Sequence, residues 1–248
     1  MARIVVVGGG GTGIGRAVAR RFRQEGDEVV VVGRRAEALD VAAREIDAVP
    51  VVADLAEPEG ALRVADEVER RYGRVDVLVN NAELSPPDGL PQGDGRAGAV
   101  AWAAWHWTAS FRANVLTAAL FTEALRDLLS RDSRVVLVSS IAAMRGSSSG
   151  SYTAGKAALH PYAIDLAGSL GRLGATVNVV APGLIDETEF LAGRVSDERR
   201  DTPAGRTPNG RADSVEDVVA TVLWLASPSA GHVTGQIIQV NAGADPGR

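Results

Sequence analysis

Two residues of the sequence, Tyr152 and Lys156, have the side-chain types and the spacing for proton transfer. They are four positions apart in a stretch predicted to be helical, so both side chains project from one face. A phenol ordinarily ionises near pH ~10, and a neighbouring ammonium group favours the phenolate and lowers that pKa. The pair could therefore act as an acid–base group, although the same spacing is also common in helices without a catalytic role.

A glycine-rich segment near the amino terminus could bind phosphate groups. It covers residues 8–15, between an apolar run at 4–7 and an amphipathic stretch that begins at Ile14. Glycine lets a backbone approach a ligand closely, and the N–H groups at a helix start favour a pyrophosphate. A merely structural turn is the alternative. The triphosphate loop G-x-x-x-x-G-K-[ST] is excluded, because Ile14 stands where that motif needs lysine.

Arginine stands where a dinucleotide site commonly has a carboxylate. A carboxylate after the second strand would accept a hydrogen bond from the ribose 2′-hydroxyl, but this sequence has Gly33-Arg34-Arg35. A guanidinium group can pair with a 2′-phosphate through two parallel bonds. The segment therefore predicts NADP(H) in preference to NAD(H); the alternative is that both arginines are solvated surface charges.

The pattern along the chain predicts how these groups are positioned. Short β-branched runs alternate with amphipathic stretches, which is typical of right-handed βαβ units and a parallel sheet buried on both faces. Strands are predicted at 4–7, 29–32, 49–52, 75–79, 135–138, 176–180 and 236–240, and helices at 14–25, 36–46, 58–72, 103–129, 152–171 and 214–226. The fold class is therefore α/β, with a doubly wound parallel sheet.

One domain over residues 1–248 is predicted, because no linker, repeat or shift in composition divides the chain. Two segments interrupt the alternation of strands and helices. Residues 83–100 are rich in proline and glycine and are predicted to be a surface loop. Residues 186–212 are polar and arginine-rich and are predicted to be a flap. Both segments are expected to shape the substrate site.

Composition excludes several classes of protein. Twenty-six basic residues against 31 acidic ones give a net charge of −5, which provides no footprint for nucleic acid or an anionic membrane. The absence of cysteine excludes disulfides, thiolate nucleophiles and Cys-ligated metal, and the three histidines form no metal-binding pair. No apolar run reaches the ~18 residues of a membrane span. A cytoplasmic enzyme or binding protein without a metal is expected.

Together, these motifs resemble those of the short-chain dehydrogenase/reductase family. The resemblance covers nearly the whole chain and is closest to the classical type, including 3-oxoacyl-carrier-protein reductases and small-molecule ketoreductases. It implies a Rossmann-type sheet of about seven strands with helices on both faces, and a homotetramer or dimer packed through the long helices. The motifs are Gly9-x-x-x-Gly13-Ile14-Gly15, Asn80-Asn81-Ala82, Ser140, Tyr152-x-x-x-Lys156, Pro182-Gly183 and Val240-Asn241-Ala242-Gly243.

The resemblance implies a role for each reacting residue. Tyr152 would be the general acid in reduction, and Lys156 would lower its pKa and bind the nicotinamide ribose. Ser140 would donate a hydrogen bond to the substrate oxygen, with Ser139 as the competing assignment. Asn114 would hold a proton-relay water behind the lysine.

The resemblance also implies the cofactor-binding residues. Asp54 and Leu55 would meet the adenine, Asn80 the adenosine side and Ile185 the nicotinamide amide. The full set is Gly9, Gly13, Ile14, Gly15, Arg34, Arg35, Asp54, Leu55, Asn80, Ala82, Pro182, Gly183 and Ile185, together with Tyr152 and Lys156.

Three positions depart from the family pattern. Gly8 replaces a threonine that steadies the glycine loop. Glu83 replaces the glycine that follows Asn80-Asn81-Ala82, and places a carboxylate near the nicotinamide ribose or the substrate entrance. Thr188 comes one residue late after Pro182-Gly183, with Glu187 in its usual place.

The expected activity is hydride transfer between NADP(H) and a small carbonyl compound, free or carried by a carrier protein. The alternatives are a non-catalytic dinucleotide-binding regulator on the same fold, an NAD-dependent dehydrogenase, an imine reductase, and action on a sugar or cyclitol. Trp102, Trp105 and Trp107, with His106, could stack on a substrate, although packing is the preferred interpretation. His160 is expected to serve helix packing.

Overall fold

Seven parallel strands form one sheet at the centre of the molecule. The computed structural model describes residues 2–83, 95–147, 149–185, 207–211 and 213–245. The strands are β1 (Ile4–Gly8), β2 (Glu28–Gly33), β3 (Val49–Val52), β4 (Val75–Asn80), β5 (Leu129–Val138), β6 (Thr176–Pro182) and β7 (Ile237–Val240). Their order across the sheet is β3-β2-β1-β4-β5-β6-β7, and every neighbouring pair is parallel. The predicted doubly wound α/β fold is confirmed.

Helices cover both faces of this sheet. They are α1 (Gly13–Gln24), α2 (Ala36–Ile46), α3 (Pro58–Tyr72), α4 (Gly95–Phe111), α5 (Thr117–Leu125), α6 (Ala142–Arg145), α7 (Gly150–Leu170) and α8 (Val215–Leu225). The apolar sides of α3, α5 and α7 pack on one face of the sheet, and those of α1, α2 and α8 pack on the other. Successive strand residues such as Val5 and Val6 belong to opposite layers, as the two-residue repeat of a strand requires.

The strand order places a crevice at the carboxyl end of the sheet. β1 leads through α1 to β2 on one side, while β4 lies on the other side of β1. The connections therefore diverge between β1 and β4, and this switch point is where doubly wound sheets bind ligands. The segments that follow β1, β4, β5 and β6 carry most of the residues singled out by the sequence.

The largest difference from the predicted elements lies before β5. The predicted loop 83–100 is wrong at its end, because α4 already begins at Gly95. The many alanines of α4 favour a helix, and together they outweigh the helix-breaking tendency of Gly98. The single helix predicted over 103–129 is instead α4, a π-helical turn at Arg112–Leu116, α5 and a short 3₁₀ turn, after which β5 begins at Leu129. Of the predicted flap 186–212, only residues 207–211 lie within the described part of the chain, and they form a turn.

Within the described ranges, none of the helices combines the length and the apolar character needed to cross a bilayer. No group of three or more His, Cys, Asp or Glu side chains in those ranges is arranged to hold a metal ion.

A capping box begins α8, and it yields a stability prediction. The Ser214 hydroxyl accepts a hydrogen bond from the Asp217 N–H, and the Asp217 carboxylate accepts one from the Ser214 N–H. Ser214→Ala should lower the free energy of unfolding by about 1 kcal/mol in urea titrations. Ser169→Ala, at an exposed position inside α7, is the control and should have little effect. Equal effects of the two substitutions would contradict the capping assignment.

Candidate active site

The glycine loop between β1 and α1 is shaped by contacts that leave no room for a side chain at Gly9 or Gly15. Gly9 and Gly13 have φ values of +70° and +53°, which glycine adopts readily. A Cβ on Gly15 would lie 2.2 Å from the Gly9 carbonyl oxygen, and one on Gly9 would lie 2.9 Å from the Ala82 Cα. The loop is therefore packed tightly against itself and against the end of β4. Residues 11–14, where α1 begins, are partly exposed, and Ile14 is the second residue of the helix.

The missing threonine at position 8 has a structural counterpart. A Cβ on Gly8 would lie 3.0 Å from the Phe121 ring and 3.3 Å from a Leu55 methyl group. Both side chains are buried, so they fill the space that a larger residue at position 8 would need. The sequence pattern identified the substitution but not these neighbours, because α5 and the β3–α3 connection are distant from β1 in the chain.

Arginine side chains flank the side of the glycine loop that faces β2. The Arg35 guanidinium donates a hydrogen bond to the Thr12 hydroxyl at 3.2 Å. Arg34 lies 3.8 Å from the Asp54 carboxylate, and both of these side chains are substantially exposed. The Asp54 carboxylate also accepts from the Ala56 N–H at 3.0 Å. The structure thus places two guanidinium groups and one carboxylate, all predicted cofactor contacts, around one edge of the crevice.

The end of β4 contributes a buried polar side chain. Asn80 is 5% exposed, and its amide donates to the Thr122 hydroxyl at 3.0 Å. Its side-chain oxygen has no hydrogen-bond partner among the described residues. An unsatisfied buried acceptor is costly, so this oxygen is suited to a donor from a bound molecule or water. Asn81 lies 3.5 Å from the Gly9 carbonyl oxygen, at the limit of a hydrogen bond.

The segment after β6 closes the crevice on the opposite side. Pro182 accepts a hydrogen bond from the Ile141 N–H at 2.8 Å, which joins it to the segment that carries Ser140. Gly183 donates to the Val240 carbonyl oxygen at 2.9 Å. The Ile185 side chain is buried in the layer formed by α1, α2 and α8, so a contact with a carboxamide would come from its backbone. Glu187 and Thr188 lie outside the described residues.

Tyr152 and Lys156 lie on the first two turns of α7, next to the end of β5. The Lys156 ammonium is 5.9 Å from the centre of the Tyr152 ring and donates a hydrogen bond to the Val138 carbonyl oxygen at 3.0 Å. Lys156 is only 1% exposed. The structure therefore brings together the phenol and the ammonium group that the sequence spacing placed on one helix face.

The two adjacent serines after β5 have different surroundings. Ser140 is hydrogen-bonded to the Tyr152 hydroxyl, and its own oxygen accepts from the Ala142 N–H at 3.1 Å. Ser139 is buried, donates to the Lys156 carbonyl oxygen at 3.0 Å and contacts His160 Nε2 at 2.9 Å. Burial lowers the pKa of His160, which favours the neutral ring. Ser140 therefore faces the Tyr152 hydroxyl, whereas Ser139 joins β5 to α7.

Asn114 lies in the π-helical turn between α4 and α5. It is buried, and its amide donates to the Ser110 carbonyl oxygen at 2.9 Å. Its Cβ is 3.3 Å from the position that a Cβ on Gly155 would occupy, so glycine permits this turn to pack closely on α7. Gly155 immediately precedes Lys156. Asn114 is thus held beside the helix turn that carries the lysine, and π-helical turns of this kind recur at functional sites.

Glu83 reaches into the site between the phenol and the ammonium group. Its carboxylate is 2.6 Å from the Lys156 ammonium and accepts a hydrogen bond from the Tyr152 hydroxyl. Burial, followed by the charge of Glu83, raises the pKa of Tyr152 well above its ordinary value. The sequence predicts the opposite direction, because it shows neither the burial of the phenol nor the carboxylate paired with Lys156. The departure from glycine at position 83 was the one signal for this contact.

The aromatic cluster of α4 lies against the start of α7. Trp102 and His106 stack with ring centres 4.5 Å apart, and Trp105 is tilted at 6.4 Å from the same His106 ring. His106 Nδ1 is 2.8 Å from the Ser151 hydroxyl, one residue before Tyr152. Trp107 is about half exposed. These contacts support the packing interpretation for His106 and leave Trp107 on the surface.

The chain is similar in sequence and in structure to known oxidoreductases. A family model described as enoyl-(acyl carrier protein) reductase matches residues 9–245. A 3-oxoacyl-[acyl-carrier-protein] reductase from Thermotoga maritima is 29% identical, and the match covers 97% of each chain. A galactitol 2-dehydrogenase (L-tagatose-forming) from Cereibacter sphaeroides is 31% identical over 96% of this chain and 92% of that protein. A solved short-chain dehydrogenase/reductase from Brucella melitensis superposes with a TM-score of 0.87 at 28% identity, covering 99% of this chain and 97% of that one.

The tight packing of the glycine loop can be tested with two alanine substitutions. Gly15→Ala should lower the free energy of unfolding by about 1–3 kcal/mol, because the new methyl group would overlap the Gly9 carbonyl oxygen. Gly11→Ala is the matched control, since its nearest neighbour would be 3.5 Å away, and it should change stability little. Thermal and urea unfolding of both variants would measure this. A Gly15→Ala variant as stable as Gly11→Ala would contradict the packing described for the loop.

Proposed function

The chain belongs to the short-chain dehydrogenase/reductase family, and we propose that, within this family of oxidoreductases, it is an NADP(H)-dependent reductase of small carbonyl compounds. The observation that carries the proposal is the meeting of Tyr152, Lys156 and Ser140 at the end of β5, beside the glycine loop. These residues supply a proton donor, a cation and a hydroxyl group at one place. Family membership makes the chain an oxidoreductase of carbonyl groups or the corresponding alcohols.

The crevice suits a dinucleotide. The glycine loop forms a cradle that side chains would fill, and the Asn80 side-chain oxygen is a buried acceptor without a partner among the described residues. Bound NADP(H) would supply or accept the hydride. Gly9, Gly13, Ile14 and Gly15 would hold its pyrophosphate. The remaining predicted cofactor-binding residues would position the adenosine and nicotinamide halves.

The chain's own residues would handle the proton. In reduction, the Tyr152 hydroxyl would donate its proton to the carbonyl oxygen of the substrate. Ser140 would donate a hydrogen bond to the same oxygen, because its hydroxyl already faces that of Tyr152. Lys156 would stabilise the resulting phenolate by its charge. Asn114 would hold the water molecule that relays protons to the site from behind Lys156.

The two arginines after β2 support the preference for NADP(H). Arg34 and Arg35 are placed on the edge of the crevice expected to receive the adenosine ribose, and neither is buried. Arg34 is about half exposed and contacts Asp54 only loosely, at 3.8 Å, so its guanidinium group could turn toward a 2′-phosphate.

The site and the family relationship together indicate a class of substrate, carbonyl compounds or the corresponding alcohols. The named relatives act on a carrier-bound 3-oxoacyl group and on a sugar alcohol, so the family relationship spans both. We propose a small carbonyl compound, free or carried by a carrier protein, and a homotetramer or dimer packed through the helices α4, α5 and α7.

Substitution of the phenol tests the acid–base assignment and separates an enzyme from a binding protein. Wild type should oxidise NADPH with at least one member of a panel of ketones, and Tyr152→Phe should lower kcat by at least ~10²-fold, because the proton donor is lost. NADPH affinity should change little. Tyr72→Phe is the control, because Tyr72 is the last residue of α3 and lies near Glu28 and Arg23, away from the predicted cofactor and reacting residues. Absorbance at the NADPH band measures turnover; undiminished kcat in Tyr152→Phe would refute the assignment.

Removal of the arginines tests the cofactor preference. Arg34→Ala and Arg35→Ala should each raise the KM for NADPH by about 10–100-fold, the value of a charge-assisted hydrogen bond of ~1.5–3 kcal/mol. The KM for NADH should stay within about twofold, since NADH lacks the 2′-phosphate. Arg44→Ala, on the exposed side of α2, is the control and should alter neither constant. Equal or better use of NADH by wild type would contradict the proposed preference.

A further inference from the structure

Glu83 occupies a position from which it contacts two of the proposed reacting residues at once. It follows Asn80-Asn81-Ala82 at the carboxyl end of β4. One carboxylate oxygen lies 2.6 Å from the Lys156 ammonium, and the carboxylate accepts a hydrogen bond from the Tyr152 hydroxyl. A glycine, the residue expected at this position, could make neither contact.

The backbone next to Glu83 is fixed by the glycine loop. Ala82 packs closely on Gly9: a Cβ on Gly9 would lie only 2.9 Å from the Ala82 Cα. The Glu83 side chain therefore leaves the chain beside the phosphate cradle and extends toward α7. Its side chain is 27% exposed and that of Lys156 only 2% exposed, so the ion pair lies at the inner end of the crevice, where water screens it weakly.

The carboxylate uses hydrogen-bond donors that a ribose would also need. Lys156 has three N–H donors, of which one goes to the Val138 carbonyl oxygen and one to Glu83. Tyr152 has a single O–H donor, and Glu83 accepts it. A vicinal diol and a carboxylate both present two neighbouring oxygens. The diol or the carboxylate could therefore accept hydrogen bonds from both Lys156 and Tyr152. The two groups cannot accept the same N–H and O–H hydrogens at once.

We propose that Glu83 competes with the nicotinamide ribose of the cofactor for Lys156 and Tyr152, so that its side chain must turn away before the phenol and the ammonium can act together. This inference rests on the function proposed above. Glu83 is then a positioning residue, which acts on the reaction through Lys156 and Tyr152. Its partial exposure allows the carboxylate to move into water, where its charge is solvated.

The competition concerns only one half of the dinucleotide. Arg34, Arg35 and Asp54 follow β2 and β3, on the far side of β1 from β4 and Glu83, and they contact one another, Thr12 and Ala56 there. The adenosine half should therefore bind with an affinity that Glu83 does not influence. The nicotinamide half should bind with an affinity reduced by the need to displace the carboxylate.

Affinities for the whole cofactor and for its adenosine half test this proposal. Calorimetric titrations without substrate would use NADPH and 2′,5′-ADP, which lacks the nicotinamide ribose. Glu83→Gln and Glu83→Gly should bind NADPH about tenfold more tightly than wild type, a change of about 1.4 kcal/mol, and should bind 2′,5′-ADP with unchanged affinity. Glu69→Gln is the matched control, because it removes one carboxylate at an exposed position of α3, and it should change neither constant.

Ionisation of the phenol gives a readout that a purely structural role would not change. Titration of the tyrosinate absorbance, with no dinucleotide added, should show Tyr152 ionising at a lower pH in Glu83→Gln than in wild type, because the neighbouring negative charge is gone. The additional substitution Tyr152→Phe should remove this difference, since Tyr72 and Tyr162 would remain as before. An identical titration in wild type and Glu83→Gln would overturn the proposal.

The outcomes separate this inference from the proposed function. If neither NADPH nor 2′,5′-ADP binds any variant, the proposed function fails and the inference fails with it. If both bind, and NADPH affinity is equal or weaker in the two Glu83 variants, only the inference is overturned. Tighter NADPH binding confined to the Glu83 variants, with 2′,5′-ADP unchanged, supports both.

Discussion

The buried ammonium of Lys156 is the constraint around which the rest of the crevice is organised. A charge removed from water is costly unless strong acceptors surround it. The Val138 carbonyl oxygen at the end of β5 and the Glu83 carboxylate at the end of β4 provide those acceptors. The backbone acceptor at Val138 therefore keeps the second turn of α7 at the end of β5, whereas the oxygens of another group could replace the carboxylate of Glu83.

The rest of the site follows from holding α7 at that place. Ser139 joins the Lys156 carbonyl oxygen to β5, and Gly155 lets the π-helical turn with Asn114 approach the same helix. Tyr152, one turn earlier on α7, is then directed toward Ser140 at the end of β5. The end of β5, one long helix and one irregular helical turn therefore place four polar side chains that are spread over more than forty positions of the chain: Asn114, Ser140, Tyr152 and Lys156.

Many of the helices and strands could be predicted from the sequence, because residues within or next to each element determine where it begins and ends. The bounds of α3 are those predicted, since Pro58 suits the first turn of a helix and Gly73 ends it with a positive φ. The strands were recognisable from β-branched runs, and the motif residues lie after them at the carboxyl end of the sheet. The start of α4 could not be predicted, because alanine and glycine alternate there and indicate opposite structures.

Contacts between distant segments were beyond local reasoning. The sequence identified Glu83 as unusual but could not show which groups its carboxylate would meet, since that depends on how closely β4 and α7 approach. The direction of the pKa shift of Tyr152 was mispredicted for the same reason: burial of the phenol raises its pKa, and the charge of Glu83, 73 positions before Lys156 in the chain, raises it further. Likewise, Thr122 became the partner of Asn80 only through the packing of α5 on the sheet.

The packing of Phe121 and Leu55 against Gly8 has a consequence for how this chain can vary. A threonine at position 8 would need space that the aromatic ring and the Leu55 methyl group occupy, so both would have to shift by a few tenths of an ångström or more. Residues 8 and 121 are therefore expected to be energetically coupled, with a smaller residue at position 121 reducing the cost of a side chain at position 8.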